Sequence, residues 1–328
     1  MSNYPFEVPP KYVVKLASGE VVRFGTLLKD SVSGKIVAHL QETDRLQQLL
    51  SQVNALPFSP VGALNAVSSI GANVQLHRLT KLVESMQLLQ IATLGLTIAG
   101  IGVSVVGFAM MNRKINVLGD QISALSARVD TRFEELRERE FRSHYSQLRG
   151  LFDRADQSHA LSNPVPEWLH ISSLLAEEGA YLRGELAHYI ETQVFEPDLI
   201  QSLTTSYSLC NAGRIQCLLL ARELRAAHKV AEDSASDCNA LFDRLKPIQL
   251  AHKVKASQLF EGKGVGMELD LRLRTMQRFV SNVRDIQDGM NSKPHLMETL
   301  ISKKVDSFEY LRQLRQHQNE PLLLMPAN

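Results

Sequence analysis

The spacing of apolar and polar positions divides the chain into a small β cap (1–45), an apolar helical region (46–112), a coiled-coil helix (113–143) and a C-terminal helical bundle (144–328). In the cap, three runs rich in β-branched residues, YVVKL, EVVRF and KIVAHL, are separated by Ala17-Ser18-Gly19 and Ser33-Gly34. Glycine supplies the turn conformations that hairpins need, so the pattern predicts three strands, too few to stand as an independent domain. From Glu42 the period becomes helical, with Leu46, Leu49, Leu50 and Val53 on one face, until Pro57 and Pro60 break it. Leu46 to Leu76 as a whole is uncharged, but its Gln, Asn and Ser content suits it poorly to crossing a membrane alone.

The segment Leu88 to Met111, LLQIATLGLTIAGIGVSVVGFAMM, carries no charged residue. As a helix it would be roughly 36 Å long, enough for a hydrocarbon core of about 30 Å. Thr93, Thr97, Gly100, Ser104 and Gly107 line one seam with small side chains, and Ile91, Leu94, Ile98, Ile101, Val105 and Phe108 line another with large ones. In lipid a small-residue seam lets helices approach closely, so these five positions are the expected helix-association site. The alternative is a helix buried in a soluble bundle. Against it, Gly95, Gly100, Gly102 and Gly107 would each cost about 1 kcal/mol in a water-exposed helix interior. A third reading is a segment that switches between the two environments. Arg78, Lys81 and Glu84, which separate the two uncharged stretches, fit one polar face of a continuous helix or the turn of a hairpin.

Beyond Met111 the spacing becomes that of a heptad seam: Ile115, Leu118, Ile122, Leu125 and Val129, then Phe133 and Leu136 after one slip. One helix of an intramolecular bundle has the same pattern, and periodicity does not separate the two. From Phe141 onward the chain reads as successive amphipathic helices. They are expected at about 114–160, 167–194, 198–230, 236–260, 267–290 and 295–317, with a kink or break at Pro247. The expected fold is therefore mainly α, an elongated helical bundle or coiled coil with one transmembrane-like helix and the N-terminal β cap.

Charge narrows the partners. With 36 basic and 35 acidic residues the net charge is +1, so a surface tuned throughout for nucleic acid is not expected. The expected partners are a lipid membrane and other copies of the chain. MSNYPFEVPPKY lacks the basic and apolar regions of a secretory signal. Cys210, Cys217 and Cys238 are odd in number and do not read as a disulfide framework, which suits a reducing compartment. Arg113, Lys114, Arg128 and Arg132 outnumber Arg78 and Lys81 across the apolar run, favouring an inner-membrane protein with its C-terminal helical domain in the cytoplasm. A re-entrant hairpin with both ends in the cytoplasm is the competing topology.

No catalytic or cofactor signature emerges, and no metal site is expected. Glu185 and His188 form one E-x-x-H pair, but a di-iron bundle needs two such pairs plus further carboxylates, and Glu223 with His228 has the wrong spacing. Cys210 and Cys217 share a helical face without further Cys or His at metal spacing, and read as core thiols. Gly262-Lys263-Gly264-Val265-Gly266 lacks the preceding strand and the Gly-Lys-Ser/Thr ending of a phosphate loop. Arg272, Arg274, Arg278 and Arg284 are interspersed with Glu268, Asp270, Asp285 and Asp288, which describes an ordinary charged face.

The order of β cap, apolar helix and charged coiled coil ending VDTRFEELRERE resembles uncharacterised bacterial single-pass coiled-coil membrane proteins. In layout alone it is similar to α-helical pore-forming cytolysins. The first resemblance implies a non-enzymatic, self-associating membrane anchor. The second implies a membrane-permeabilising effector that hides Leu88 to Met111 in a soluble form and then assembles a pore.

Overall fold

The cap begins with a helix where a strand is expected: Pro10–Ser18 (α1) contains the YVVKL run. Its apolar residues are adjacent rather than alternating, and Tyr12 and Leu16, four apart, turn inward onto the strands. The first strand is Val21–Phe24 (β1), and the second is Leu27–Asp30 (β2), which the sequence pattern does not single out. Ile36–Leu40 (β3) completes the hairpins, and Leu322–Leu324 (β4) pairs antiparallel with β3, giving the order β1-β2-β3-β4. Gly25 (φ +57°) and Gly34 (φ +66°) occupy the tight turns.

The computed structural model describes residues 10–40, 108, 111, 112, 114–119, 132–191, 197–253, 265–316 and 322–324. Its helices after the cap are Arg132–Gln157 (α2, followed by a 3-10 turn at Ser158–Ala160), Val165–Glu191 (α3), Pro197–Leu220 (α4), Leu224–Phe242 (α5), Pro247–Lys253 (α6), Val265–Ser302 (α7) and Ser307–Gln316 (α8). The expectation of a mainly helical bundle with a small β cap therefore holds. Among the described residues no helix is long and apolar enough to cross a membrane. Most of Leu88–Met111, on which the transmembrane-like helix was expected, lies outside the described residues.

The helix α4 sits at the centre. Almost every residue from Ile200 to Ala221 is buried, including Gln201, Ser202, Thr204, Thr205, Ser206, Ser208, Asn211 and Gln216, so it is not the amphipathic helix expected there. These polar side chains are tolerated because many bond within the helix: Thr204 and Thr205 donate to the carbonyls of Ile200 and Gln201 at 2.6 and 2.8 Å, and Asn211 donates to that of Tyr207 at 3.0 Å. Ser206 donates to the Ser202 carbonyl at 2.8 Å, and its oxygen accepts from the Tyr145 hydroxyl at 2.5 Å. Close approach is needed at Gly213, where a Cβ would stand 2.7 Å from Cε1 of Phe152.

Helix ends differ from expectation where proline or glycine misleads. At Pro247 the break and not the kink is found: Pro247 starts α6, because the first helical position needs no N–H. Pro294 lies inside α7, whose neighbouring Ser292, Lys293, Leu296 and Met297 are all buried; packing there outweighs a local cost of about 3 kcal/mol. Conversely α4 stops at Leu220 without a glycine. Arg222 takes φ +63°, and the amide of Glu223 bonds the Leu218 carbonyl at 2.8 Å. The α7–α8 turn repeats this motif, with Lys304 at φ +52° and Val305 N–H to the Leu300 carbonyl at 3.0 Å.

The cap docks on α7 and α8. At Gly25 a side chain would collide with the Asp288 carbonyl, 2.5 Å from an added Cβ. Phe24 packs edge-on against His295 with ring centroids 5.3 Å apart, and Arg23 faces Asp285 and Asp288 electrostatically. On the same face of the sheet, where Phe24, Leu27 and His39 are paired across the strands, the fully buried His39 meets Tyr310 of α8.

Candidate functional site

The end of the apolar run enters the bundle core. Phe108, Met111, Ile115 and Leu118 are each at most 1% exposed and belong to one apolar cluster with Phe141, Tyr145, Leu148, Phe152 and Trp168. Three contacts set the direction of this segment. The Phe108 ring lies 6.5 Å from that of His159, the Asn112 amide donates to Asp153, and Gly119 stands against Tyr145, 3.7 Å from an added Cβ. Rising numbers on one side meet falling numbers on the other, so the described residues from Phe108 to Gly119 run antiparallel to α2. A single helix over 114–160 is thereby corrected: residues 114–119 and α2 lie side by side. Ile115 and Leu118, the first two seam positions, face the chain's own core. Ile122, Leu125 and Val129 lie outside the described residues, as do Thr93, Thr97, Gly100, Ser104 and Gly107.

The same register logic shows which end of the bundle receives Phe108. Tyr145 and Phe152 of α2 meet Ser206 and Gly213 of α4, so these two helices are parallel. Gly179 and Leu175 of α3 meet Cys210 and Gly213, so α3 is antiparallel to α4. Following each helix outward from those contacts places His159, the start of α3 and the α4–α5 turn at one end, with Phe108. The α7–α8 turn joins them, because Ser307 donates to the Leu219 carbonyl at 2.7 Å and Arg222 pairs with Asp306 at 3.2 Å. The Arg222 guanidinium also lies 5.6 Å from the centroid of Phe308.

This end carries exposed apolar side chains that the sequence reading did not single out: Leu161 is 50% exposed, Val165 37%, Leu169 39% and Phe308 37%. The available signal was the four-residue step from Val165 to Leu169 beside the stiff segment Asn163-Pro164-Val165-Pro166. Trp168, between them in sequence, points inward. It packs 5.2 Å from His159, and its buried indole N–H has no hydrogen-bond partner among the described residues.

The remaining candidates do not converge on chemistry. Cys210, Cys217 and Cys238 are free and buried, and burial raises all three thiols, Cys238 to about 12, which keeps them protonated and unreactive. Among the described residues no group of three or more His, Cys, Asp or Glu could hold a metal. Glu185 and His188 stand apart from further ligands, and the His188 ring packs against Tyr189 at 5.4 Å. Arg284 of the basic region is engaged with Asp243 at 2.8 Å in a network that also joins Gln287, Asn239 and Asn291. Beside that network lies an open groove of about 460 Å³ between Phe24, Ser236, Asn239, Asn291 and His295. Lys293 is buried against the Met290 sulfur, 3.3 Å away, and burial lowers its amine to about 8.

No family model matches the chain, and no curated protein or solved structure is significantly similar to it.

Proposed function

We propose that this chain is a non-enzymatic, membrane-anchored helical protein whose bundle is fixed directly to the end of its apolar segment. The observation that supports this reading is the burial of Phe108, Met111, Ile115 and Leu118 in the bundle core. A charge-free segment followed at once by a docked helix leaves no flexible linker. The rigid bundle then sits against the place where the segment ends. The sequence Leu88–Gly107 would still be about 30 Å long as a helix, sufficient for a hydrocarbon core. Self-association falls to the seam of Thr93, Thr97, Gly100, Ser104 and Gly107, since Ile115 and Leu118 are occupied within the chain.

Membrane and soluble fractions of cells expressing the chain test the anchor directly. Extraction only by detergent is the expected result, and recovery in the soluble pool would refute it. Crosslinking in membranes tests the seam: Gly100→Leu with Gly107→Leu should abolish dimers while membrane recovery is unchanged.

A second reading draws on the same burial. Phe108 and Met111 belong to the apolar run yet already lie in the core of the bundle, as expected of an effector that covers its apolar segment before acting on a membrane. Purified chain that stays soluble without detergent and releases dye from liposomes would favour this reading over the anchor.

A further inference from the structure

Resting on the membrane reading above, we infer that the corner of the bundle formed by Leu161, Val165 and Leu169 is a lipid-contact surface that seats the bundle on the bilayer. Three observations lead to it. First, these three side chains are exposed at one end of the bundle, with Val165 and Leu169 four apart on α3, whereas Ile248, another exposed large apolar residue, lies at the far end. Its position there follows from the direction of α5, which runs away from the Arg222 turn, and from Lys253, which bonds the Ile190 carbonyl at the end of α3.

Second, the corner adjoins the point at which the apolar run arrives. Phe108 packs by His159 and His159 by Trp168, so the charge-free run meets the bundle at Phe108, at the end that carries Leu161 and Leu169. A bilayer that receives that sequence lies against this end of the protein and not the other.

Third, the corner itself carries no cation. From Ala155 to Leu182 the chain contains no Lys or Arg. Arg154, just before, is engaged with Glu167, its Nε donating at 2.9 Å. Asp156 is exposed on the α2 side, and Arg222 and Lys304 are exposed on the neighbouring turns at the same end. Apolar side chains on a chain stiffened by Pro164 and Pro166 gain by entering the interfacial region of a bilayer.

Single cysteines placed at Leu161 and Leu169 test the orientation, with Ile248→Cys as the far-end control. The three native thiols are buried, so an environment-sensitive dye reacts at the introduced site alone. The full chain is reconstituted in phosphatidylcholine vesicles containing a minor share of phosphatidylglycerol. The inference expects dye at 161 and 169 to shift to the blue and to be quenched by lipids bearing a shallow nitroxide, and dye at 248 to remain in water. If the protein binds vesicles but dye at 161 and 169 stays in water, the lipid-contact surface is overturned and the anchor stands. If the chain does not associate with vesicles at all, the anchor fails and the surface with it. A blue shift at 161 in detergent-free protein without vesicles would assign the corner to a second copy and also overturn the inference.

Discussion

The hydroxyl of Tyr310 lies 3.0 Å from Nδ1 of His39, a strand residue 271 positions earlier. Both side chains are buried, and Nε2 of His39 has no hydrogen-bond partner among the described residues. A charged imidazole has two donors to satisfy and finds one acceptor here, so burial lowers His39 to about 4.

The sign of the resulting pH dependence follows. The unfolded chain binds the His39 proton near 6.5 and the folded chain near 4, so stability is complete above about 6.5 and falls as pH drops towards 4, by about 3 kcal/mol in all. Asp285, lifted to about 6 by burial and by Asp288, works the other way, its contribution being present at low pH and lost as pH rises through about 6. Denaturant unfolding of wild type and of His39→Leu with Tyr310→Phe, at a series of pH values, separates the two. The double variant should lose the His39 component. An unchanged difference between pH 7 and pH 4 would place the proton elsewhere.

Lys293 predicts a stabilising substitution. Its buried ammonium has a thioether as its hydrogen-bond partner and, among the described residues, no carboxylate in salt-bridge range. Lys293→Met should raise stability at pH 7 by about 3 kcal/mol, because the folded amine titrates near 8 against 10.5 when unfolded. Wild type should recover that difference as pH rises from about 8 towards 10.5. Unfolding curves at pH 7 and pH 10 provide the check.

Glycine substitutions should diverge with position. Gly213→Ala presses a methyl group onto the immobile Phe152 ring and should cost about 1–3 kcal/mol. At Gly184 nothing lies within 4 Å, so Gly184→Ala should gain about 1 kcal/mol of helix propensity. In the α7–α8 turn, Lys304→Gly relieves a left-handed lysine and should also gain about 1 kcal/mol. Thermal unfolding of the three single variants tests the ranking.

Phe108→Ala tests whether the end of the apolar run is part of the folded bundle. Loss of a fully buried phenyl group should cost about 3–5 kcal/mol and shift the emission of Trp168, the single tryptophan, to the red as water gains access. Unchanged stability and emission would detach residues 108–119 from the core.

Helical class, the presence of a cap and the spacing of Ile115 and Leu118 were legible in the sequence because each rests on local periodicity. What periodicity reports is which residues are buried, and never against what; the seam at Ile115 and Leu118 therefore read equally as a contact between copies or within one chain. The cap strand Leu27–Asp30 was missed because its burial comes from β3 and the bundle, not from alternation. In α4 the buried Ser, Thr and Asn residues imitate a polar face, since their bonds to the preceding turn leave no trace in hydropathy. The turns at Arg222 and Lys304 were invisible for a related reason: the left-handed position is filled by a residue whose propensity does not advertise it. The corner at Leu161, Val165 and Leu169 needed the bundle itself, because only the direction of neighbouring helices shows that it adjoins Phe108.

The pairing of β3 with Leu322–Leu324 has a consequence for how the protein is made. The strands that begin the sheet leave the ribosome first, but their fourth member and the two helices that receive them, α7 and α8, are synthesised long afterwards. Through most of translation β3 therefore has an open edge and, apart from α1, no surface to rest on, and the cap closes only once residues 322–324 have emerged.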